Sequence, residues 1–442
     1  MSFIQTLKWE WIQFRRTPFQ YLAVLLFVLA AVYSISNGIS LREKQLETLA
    51  KVESDYLAER SVYEKILESG GTKVESRPWV DLSNPFYGMW NSIVYKLKTP
   101  SPMMSLAIGQ AEQYGFYKRL TFYTSGYDSD LSAEISNPER IAFGALDLTF
   151  CVIFLLPLLL IVLCYPIGGY EEDVKMAPLV QIQGDNYHAW IWKRTSAIGL
   201  GASMIVILLI AVPSIFSGAF TRVPYQLFTY YSIVIMVYLW FWIGVISAII
   251  SLRLGQTSQT MGLVLVWVVF GMVIPGAVQQ GASLKFPNSM LVDYLDAKRI
   301  DQGEIYEADF EAVWDSLRVK LPEIEQTKLA TQPDSAKIEA AKGSVYRAEV
   351  AFHMKEVSEN IEAGFQQRND FIESSYWYNP LMGIQNYLYS LADTDFYAYQ
   401  EYRVAIQDAS LELSKKGCVE EWNDEKVDVN RFRSYFNLVS EK

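Results

Sequence analysis

The chain has 442 residues, of which 51% are hydrophobic, and its formal net charge is −11 at pH 7. Its apolar residues lie in blocks too long for one soluble core, so the composition excludes a single soluble domain and predicts a membrane protein. Residues 281–442 hold 18 Lys and Arg against 29 Asp and Glu and so carry the whole net charge, which argues against nucleic acid as a partner and against docking of this part onto anionic lipid.

The first apolar run, 19–38, follows basic residues as a signal peptide would. Its apolar region is too long for a signal peptide and no small-x-small cleavage site follows it, so we interpret it as a retained transmembrane helix. Apolar residues then recur at spacings of three and four as far as Gly70 and Gly71. This pattern predicts one long helix that stands out of the membrane.

The segment from 76 to 139 is richer in Pro, Tyr and Ser, and we expect irregular structure with short helices there. Together with the long helix it would form a first extracytoplasmic region, 39–141. The second such region, 280–442, shows apolar residues at helical spacing between charged ones, which predicts amphipathic helices packed on each other. We expect one helical domain assembled from both regions.

Four further runs approach or exceed the roughly 20 apolar residues that cross a hydrocarbon core. They are 142–168, 196–220, 226–250 and 259–279. Lys and Arg near the ends of the spans predict that the N terminus, the long connection 169–195 and the short connection around Arg253 lie in the cytoplasm. The predicted fold is therefore an all-α polytopic membrane protein with five visible transmembrane helices and a mainly helical extracytoplasmic domain.

Asp147 lies about six residues into the second predicted span. A carboxylate in a membrane segment suggests proton or substrate handling. The alternative is a structural hydrogen bond, because this position is near the outer end of the span.

The cytoplasmic connection 169–195 begins with three consecutive acids, continues with apolar residues as far as Gly184, and ends with aromatic and basic residues. This order predicts a short amphipathic helix near the membrane surface, a turn at Gly184, and an anchor at the start of the third span. An idle connecting loop would not need so much apolar surface.

Several chemistries are excluded by missing motifs. The sequence has no G-x-x-x-x-G-K-[ST] phosphate loop and no G-x-S-x-G turn, so we expect the chain not to be an enzyme. Its two histidines, His188 and His353, belong to no metal-binding motif, and we expect no metal site and no cofactor in this chain. Cys151, Cys164 and Cys418 suggest no disulfide framework.

The run "NPERIAFGALDLTFCVIFLLPLLLIVLCYPIGGYEEDVKMAPLVQIQG", followed by "WKR", resembles the core of the type-2 ABC transporter permeases with two large outer domains. In that family an acidic stretch and a pattern close to Glu-x-Glu-x-Gly-Thr-Leu precede the coupling helix. Here the matching residues, 173–179, depart from the pattern at Lys175 and at Ala177-Pro178. Three other stretches are similar to family segments: "LKWEWIQFRRTPF" to the amphipathic elbow helix, and residues 100–112 and 379–407 to outer segments.

The resemblance implies a permease subunit that couples ATP hydrolysis by a separate cytoplasmic ABC ATPase dimer, which holds the ATP and magnesium, to export across a bacterial inner membrane. It also implies a second permease copy or a sibling permease, and six spans, so we expect a sixth span to be missing from this chain. The residues it assigns to ATPase coupling are Tyr170, Glu171, Glu172, Asp173, Met176, Leu179, Ile182, Gln183, Gly184 and His188. Those it assigns to the elbow helix, 1–18, are Trp9, Glu10, Trp11 and Arg15.

Two alternatives remain open at this stage. In the first, the subunit transmits ATPase-driven motion to a periplasmic partner and transports nothing. In the second, the chain is a receptor or anchor with no ATPase, which would account for the spans but not for the coupling-like connection.

Overall fold

A computed structural model describes residues 2–92, 94–128, 146–176, 178, 182, 186–216, 225–287 and 290–440. Within these residues, five helices are long and apolar enough to cross a membrane, which is compatible with the predicted all-helical membrane protein. The helices are α1 Phe3–Arg16, α2 Pro18–Glu68, α3 Pro85–Asn91, α4 148–164, α5 Gly169–Asp173, α6 Tyr187–Phe216, α7 Tyr225–Ile250, α8 Gln256–Lys285, α9 290–307, α10 Phe310–Lys320, α11 Lys328–Thr331, α12 Ser335–Glu373, α13 Pro380–Leu391, α14 Phe396–Trp422 and α15 Val429–Ser440. The strands are β1 Lys73–Val74, β2 Arg77–Asp81, β3 Val94–Leu97 and β4 Tyr117–Leu120.

The first helix, α1, begins with a capping box. Ser2 Oγ accepts from the backbone N–H of Gln5, and the Gln5 side chain accepts from the N–H of Ser2, which satisfies two otherwise unpaired donors. Thr17 then breaks the helix, and Pro18 opens α2, a position where its missing N–H costs nothing. The break lets α1 lie across the bundle and pack on α6.

The longest helix, α2, runs unbroken for 51 residues, a length of roughly 75 Å at the usual rise per residue. Its first part belongs to the bundle of apolar helices α2, α4, α6, α7 and α8. Its second part packs into the other domain. It ends at Glu68, just before Gly70 in a left-handed conformation, which confirms the predicted stop.

A π-helical turn widens α4 at Cys151–Leu155. Buried backbone carbonyls need partners, and two side chains supply them: the Tyr238 hydroxyl donates to Ile153 O at 2.5 Å, and the Trp267 indole donates to Phe154 O at 3.1 Å. A second π-helical turn, Val269–Val273, interrupts α8 on the side that faces Phe154. The two irregular turns therefore pack against each other across α4, α7 and α8.

The second domain is built from both regions predicted to lie outside the membrane. In one apolar cluster, Tyr56 and Tyr63 of α2 pack with Leu413 of α14 and with Phe432 and Tyr435 of α15. A second cluster joins α10, α12 and α14 around Trp422. Residues from both regions therefore share one apolar core.

The prediction of irregular structure with short helices for 76–139 is wrong in part. β1 pairs with β2, and β3 pairs with β4, each pair antiparallel. Strands of two to five residues are too short to produce a visible alternation of apolar and polar residues, so the sequence did not reveal them. Residues 129–139 of this segment lie outside the described residues.

Two helices extend beyond the spans predicted within them. The third span was placed at 196–220, but α6 begins at Tyr187, where the side chain of Asn186 accepts from the N–H of His188 at 3.2 Å. The fifth, placed at 259–279, runs from Gln256 to Lys285. The predicted start of the second span and end of the third lie outside the described residues.

Candidate functional sites at the two ends of the bundle

Five elements meet at one end of the bundle, here called the α1 end. They are α1, the end of α4 with α5, the first turns of α6, and the connection between α7 and α8. This end therefore contains α1, which corresponds to the predicted elbow helix, and the described part of the predicted coupling segment. Its polar contacts decide whether those segments move with the bundle or independently of it.

The centre of the α1 end is an ion-pair junction formed by Arg194, Glu10, Gln13 and Glu171. The Arg194 guanidinium donates to Glu10, to Glu171 Oε1 at 2.8 Å and to Gln13 Oε1 at 3.0 Å. Its side chain is 12% exposed, so the charges are largely removed from water. One cation therefore holds α1, α5 and α6 together.

Glu171 also organises the chain as it leaves α4. Its Oε2 accepts from the N–H of Gly168 at 2.9 Å. Gly168 has φ of +79°, and a Cβ atom there would lie 2.6 Å from Cγ2 of Ile250. Only glycine fits this conformation and this approach to α7 without strain, so α5 begins at a fixed position against the bundle.

Two further contacts attach this region to α8. Asp173 Oδ2 accepts at 3.0 Å from the N–H of Gln256, the first residue of α8. The buried side chain of Gln259 donates to the carbonyls of Tyr165 and Ile167 at 3.1 and 3.0 Å. Helix ends leave backbone groups unpaired. Here Asp173 of α5 pairs with an N–H group in the first turn of α8, and Gln259 of α8 pairs with two carbonyls that follow α4.

The predicted coupling residues divide into two sets. Glu171 and Asp173 point into the junctions just described, and Glu172 is partly buried near Tyr187. Tyr170, Met176 and Ile182 are exposed by 56%, 53% and 79%. The residues Leu179, Gln183 and Gly184 lie outside the described residues.

His188, which the resemblance assigns to ATPase coupling, is exposed in the first turn of α6, because Asn186 caps the helix there. In the elbow segment Glu10 belongs to the ion-pair junction, whereas Trp9, Trp11 and Arg15 are exposed.

Arg194 is the centre of the junction, a position that the sequence did not reveal, because there it counted only among the basic residues that orient and anchor the third span. Its partners Glu10 and Glu171 lie 184 and 23 positions away. No periodicity connects such residues. The available signal was the position of Arg194 in the sequence, just before an apolar run and after the acidic residues 171–173.

Asp147 lies at the opposite end of the bundle. It is the N-cap of α4, where its Oδ1 accepts from Phe150 N at 2.7 Å. Oδ2 accepts from Ile108 N at 2.8 Å and Gly109 N at 3.3 Å. A carboxylate at a helix N terminus satisfies unpaired donors and the helix dipole, so the geometry fits the structural alternative.

Around Asp147 the chain stretches 100–112 and 379–407 come together. Thr394 Oγ1 donates to Ala107 O at 3.0 Å, and the N–H of Gln110 donates to Thr394 O at 2.9 Å. Gly109 has φ of +51°, and a Cβ atom there would lie 2.5 Å from Thr394 O. We call Asp147, Ile108, Gly109 and Thr394 the Asp147 hub, which joins α4 to the second domain.

Among the residues that the structure describes, no group of three or more His, Cys, Asp or Glu side chains could hold a metal ion. Cys151, Cys164 and Cys418 are free thiols, all buried.

Comparison with known proteins finds one family. Residues 309–436 match the family model described as a domain of unknown function, DUF3526. No curated protein and no solved structure matches the chain. The matched segment extends from the start of α10 into α15, so it covers a large part of the second domain and none of the bundle, and its description names no function.

Proposed function

We propose that this chain is the permease subunit of an ABC transporter, in which a separate cytoplasmic ATPase drives export of a substrate across a bacterial inner membrane. The α1 end would face the cytoplasm and the second domain the periplasm. The observation that carries the proposal is the ion-pair junction, because it fastens both segments assigned to coupling to a membrane helix.

The junction suits the transmission of force. A displacement of α5 acts on α6 through Glu171 and Arg194, and on α8 through the bond from Asp173 to Gln256. A displacement of α1 acts on α6 through Glu10. The two segments would therefore move the bundle as one unit, which is what rigid-body switching between two states requires.

Exposed apolar side chains at the same end supply a surface on which an ATPase can dock. Tyr170, Met176 and Ile182 are each more than half exposed, and aromatic and Met side chains are enriched at the buried centre of protein interfaces. The ATPase dimer would hold the ATP and magnesium. A second copy of this chain or a sibling permease would complete the pathway.

The Asp147 hub extends the same path to the other domain. A movement of α4 would act on the 100–112 segment through Asp147. That segment would in turn act on Thr394, which lies between α13 and α14. Closure of the ATPase on ATP would then favour one of two arrangements of bundle and domain, as a shift in population.

The test uses the full chain in lipid nanodiscs and a candidate ABC ATPase from the same organism. We expect wild type to bind this ATPase and stimulate its hydrolysis of ATP. A variant with Met176→Asp and Ile182→Asp should bind it roughly a hundredfold more weakly or worse, because two charges enter an apolar contact. The variant Arg194→Gln should still bind the ATPase but stimulate its hydrolysis of ATP roughly tenfold less than wild type does, a factor typical of coupling between sites.

The matched control carries Val319→Asp and Trp377→Asp, two apolar residues of the second domain that are 78% and 85% exposed. It should bind and stimulate as wild type does. Equal binding by the Met176/Ile182 variant would show that the exposed residues are not the docking surface. No binding by wild type would contradict the permease proposal and favour an anchor without an ATPase.

Mechanotransmission is the second candidate, and the continuity of α2 favours it. One helix without a break passes from the bundle to Tyr56 and Tyr63 in the core of the second domain. A stiff element of this kind carries motion outward whether or not a substrate crosses the membrane.

Insertion of two glycines after Lys51 tests this second candidate, because glycine in a helix interior weakens it. In wild type, ATP should change the hydrogen exchange of α12 in the second domain. The insertion should abolish that change while the ATPase rate is retained. If ATP leaves the exchange of α12 unaltered in wild type, the second domain receives no motion and mechanotransmission is contradicted.

A further inference from the structure

The connection between α12 and α13, residues 374–379, exposes aromatic side chains in a stretch without charge. Residues 374–392 contain no Asp, Glu, Lys or Arg, although charged residues are frequent in the rest of 281–442. Trp377 is 85% exposed, and Tyr378 beside it is 39% exposed. We call residues 374–379 the aromatic corner. Large aromatic side chains on an exposed and uncharged surface indicate contact with something other than water.

The path of α12 shows where the aromatic corner lies. The chain leaves the bundle through α8 and α9, and α12 returns beside them. Tyr346, in the first third of α12, donates to Ala308 O, just after α9, at 3.0 Å. Ile372, in the last turn of α12, packs with Val278 and Ala282 of α8. The helix therefore runs back toward the bundle, and the aromatic corner follows at the level of the outer turns of α8.

This level is also where the hydrocarbon core of a bilayer would end. The helix α8 runs from Gln256 to Lys285. Counted from Gln256, roughly 20 residues at about 1.5 Å each cross the core, which would end close to Val278. The next helix, α13, stays at this end of the bundle, since Leu381 and Leu388 belong to the apolar core of the bundle. The aromatic corner thus lies where membrane and water would meet.

We infer that the aromatic corner contacts the lipids of the leaflet on the side of the second domain, with Trp377 and Tyr378 at the boundary between headgroups and acyl chains. Trp and Tyr are enriched at that boundary, because each combines an apolar ring with one polar group. The lack of charge in 374–392 fits the same location, since a charged side chain there is costly to remove from water.

The inference requires that the bundle lies in a membrane, and it does not rest on the ATPase. Five apolar helices hold the chain in a bilayer without Trp377, and an ATPase would bind at the opposite end of the bundle. Replacement of Trp377 should therefore leave ATPase binding and stimulation unchanged. The aromatic corner contributes position instead, because interfacial Trp and Tyr side chains set the depth and tilt of the element that carries them.

Quenching of a fluorescent label by lipids tests the inference. The variant Trp377→Cys of the full chain is labelled with a thiol-reactive nitrobenzoxadiazole and placed in phosphatidylcholine nanodiscs that contain nitroxide-labelled lipids. The native cysteines are all buried, so the reagent should react with the introduced thiol, and the unsubstituted chain gives the background. We expect a nitroxide at the headgroup end of the acyl chain to quench most of the emission.

Two matched variants calibrate the result. Val319→Cys replaces another apolar residue of the second domain, 78% exposed on α10, and its label should not be quenched by any of the lipids. Leu265→Cys places the label on α8, at a side chain that is 62% exposed, and a nitroxide near the end of the acyl chain should quench it. No quenching at Leu265→Cys would show that the bundle is not in lipid, and the inference would fail with it.

Iodide, which stays in water, separates the remaining outcomes. A label at Trp377→Cys that iodide quenches as strongly as the label at Val319→Cys, and that the nitroxides leave unaffected, would place the aromatic corner in water and overturn the inference. A label shielded from both quenchers would show that protein, such as a second copy of this chain, covers the aromatic corner. That result would also overturn contact with lipid.

Discussion

We expect Arg403→Met to lower the free energy of unfolding of the second domain by roughly 4 kcal/mol, because it removes the cation from a buried ion pair. Arg403 Nε lies 2.8 Å from Glu362 Oε1, and the two side chains are 6% and 8% exposed. The methionine would leave the Glu362 carboxylate buried without a counter-charge. Chemical denaturation of the detergent-solubilised chain, followed by near-UV circular dichroism, measures the change.

The neighbouring Tyr127 does not compensate for the lost charge. Its hydroxyl donates to Glu362 Oε1 at 2.7 Å. Burial and the Glu362 charge raise the pKa of Tyr127 well above its ordinary value, so the hydroxyl stays protonated and remains a neutral donor. A neutral hydrogen bond stabilises a buried carboxylate less than a guanidinium does.

Two controls separate charge from packing. The double variant Arg403→Met/Glu362→Leu should recover most of the lost stability, since apolar pairs often replace buried ion pairs at little cost. Lys355→Met removes a cation from a half-exposed carboxylate, Asp408, and should cost less than about 1 kcal/mol. A double variant as unstable as the single one would show that the aromatic packing around Arg403, and not its charge, holds the domain.

The second large effect is expected from Asp147→Ala, which should lower the free energy of unfolding by roughly 3 kcal/mol. The substitution removes the acceptor of three backbone N–H groups, those of Ile108, Gly109 and Phe150. All three N–H groups bond to Asp147, which is fully buried, so water does not readily replace the carboxylate as their acceptor. Thermal unfolding of the purified chain reports the loss.

Asn84→Ala is the matched control, because Asn84 caps α3 in an ordinary way, accepting only from Phe86 N at 2.9 Å. It should cost about 1 kcal/mol. Asp147→Asn keeps one carbonyl acceptor and should fall between the two. If Asp147→Ala costs no more than Asn84→Ala, the Asp147 hub is an ordinary helix cap and does not join α4 to the second domain.

The elements that could be predicted from the sequence are those whose signal is local. The apolar run at 226–250 predicted α7 to within one residue of its start, and Gly70 and Gly71 predicted the end of α2. In both cases neighbouring residues contain the information: a length that matches a bilayer, and a stop after a periodic helix. The helical second domain follows from the same spacing rule.

The helix ends differ from the ends of the apolar runs where a single polar contact sets them. Asn186 caps α6, which begins at Tyr187, nine residues before the apolar run at 196, and Asp147 caps α4 although it lies within an apolar segment of the sequence. A cap is a single hydrogen bond, and average hydropathy over a window does not detect it.

By itself, then, the sequence determined which segments are apolar helices and where the long helix ends, because the apolar length of a segment and its helical periodicity depend on near neighbours. Only the tertiary structure decided which side chains meet. Arg194 pairs with Glu10, and Thr394 contacts Ala107, across 184 and 287 positions. Contacts over such separations depend on how helices pack, and one sequence contains no local pattern that specifies that packing.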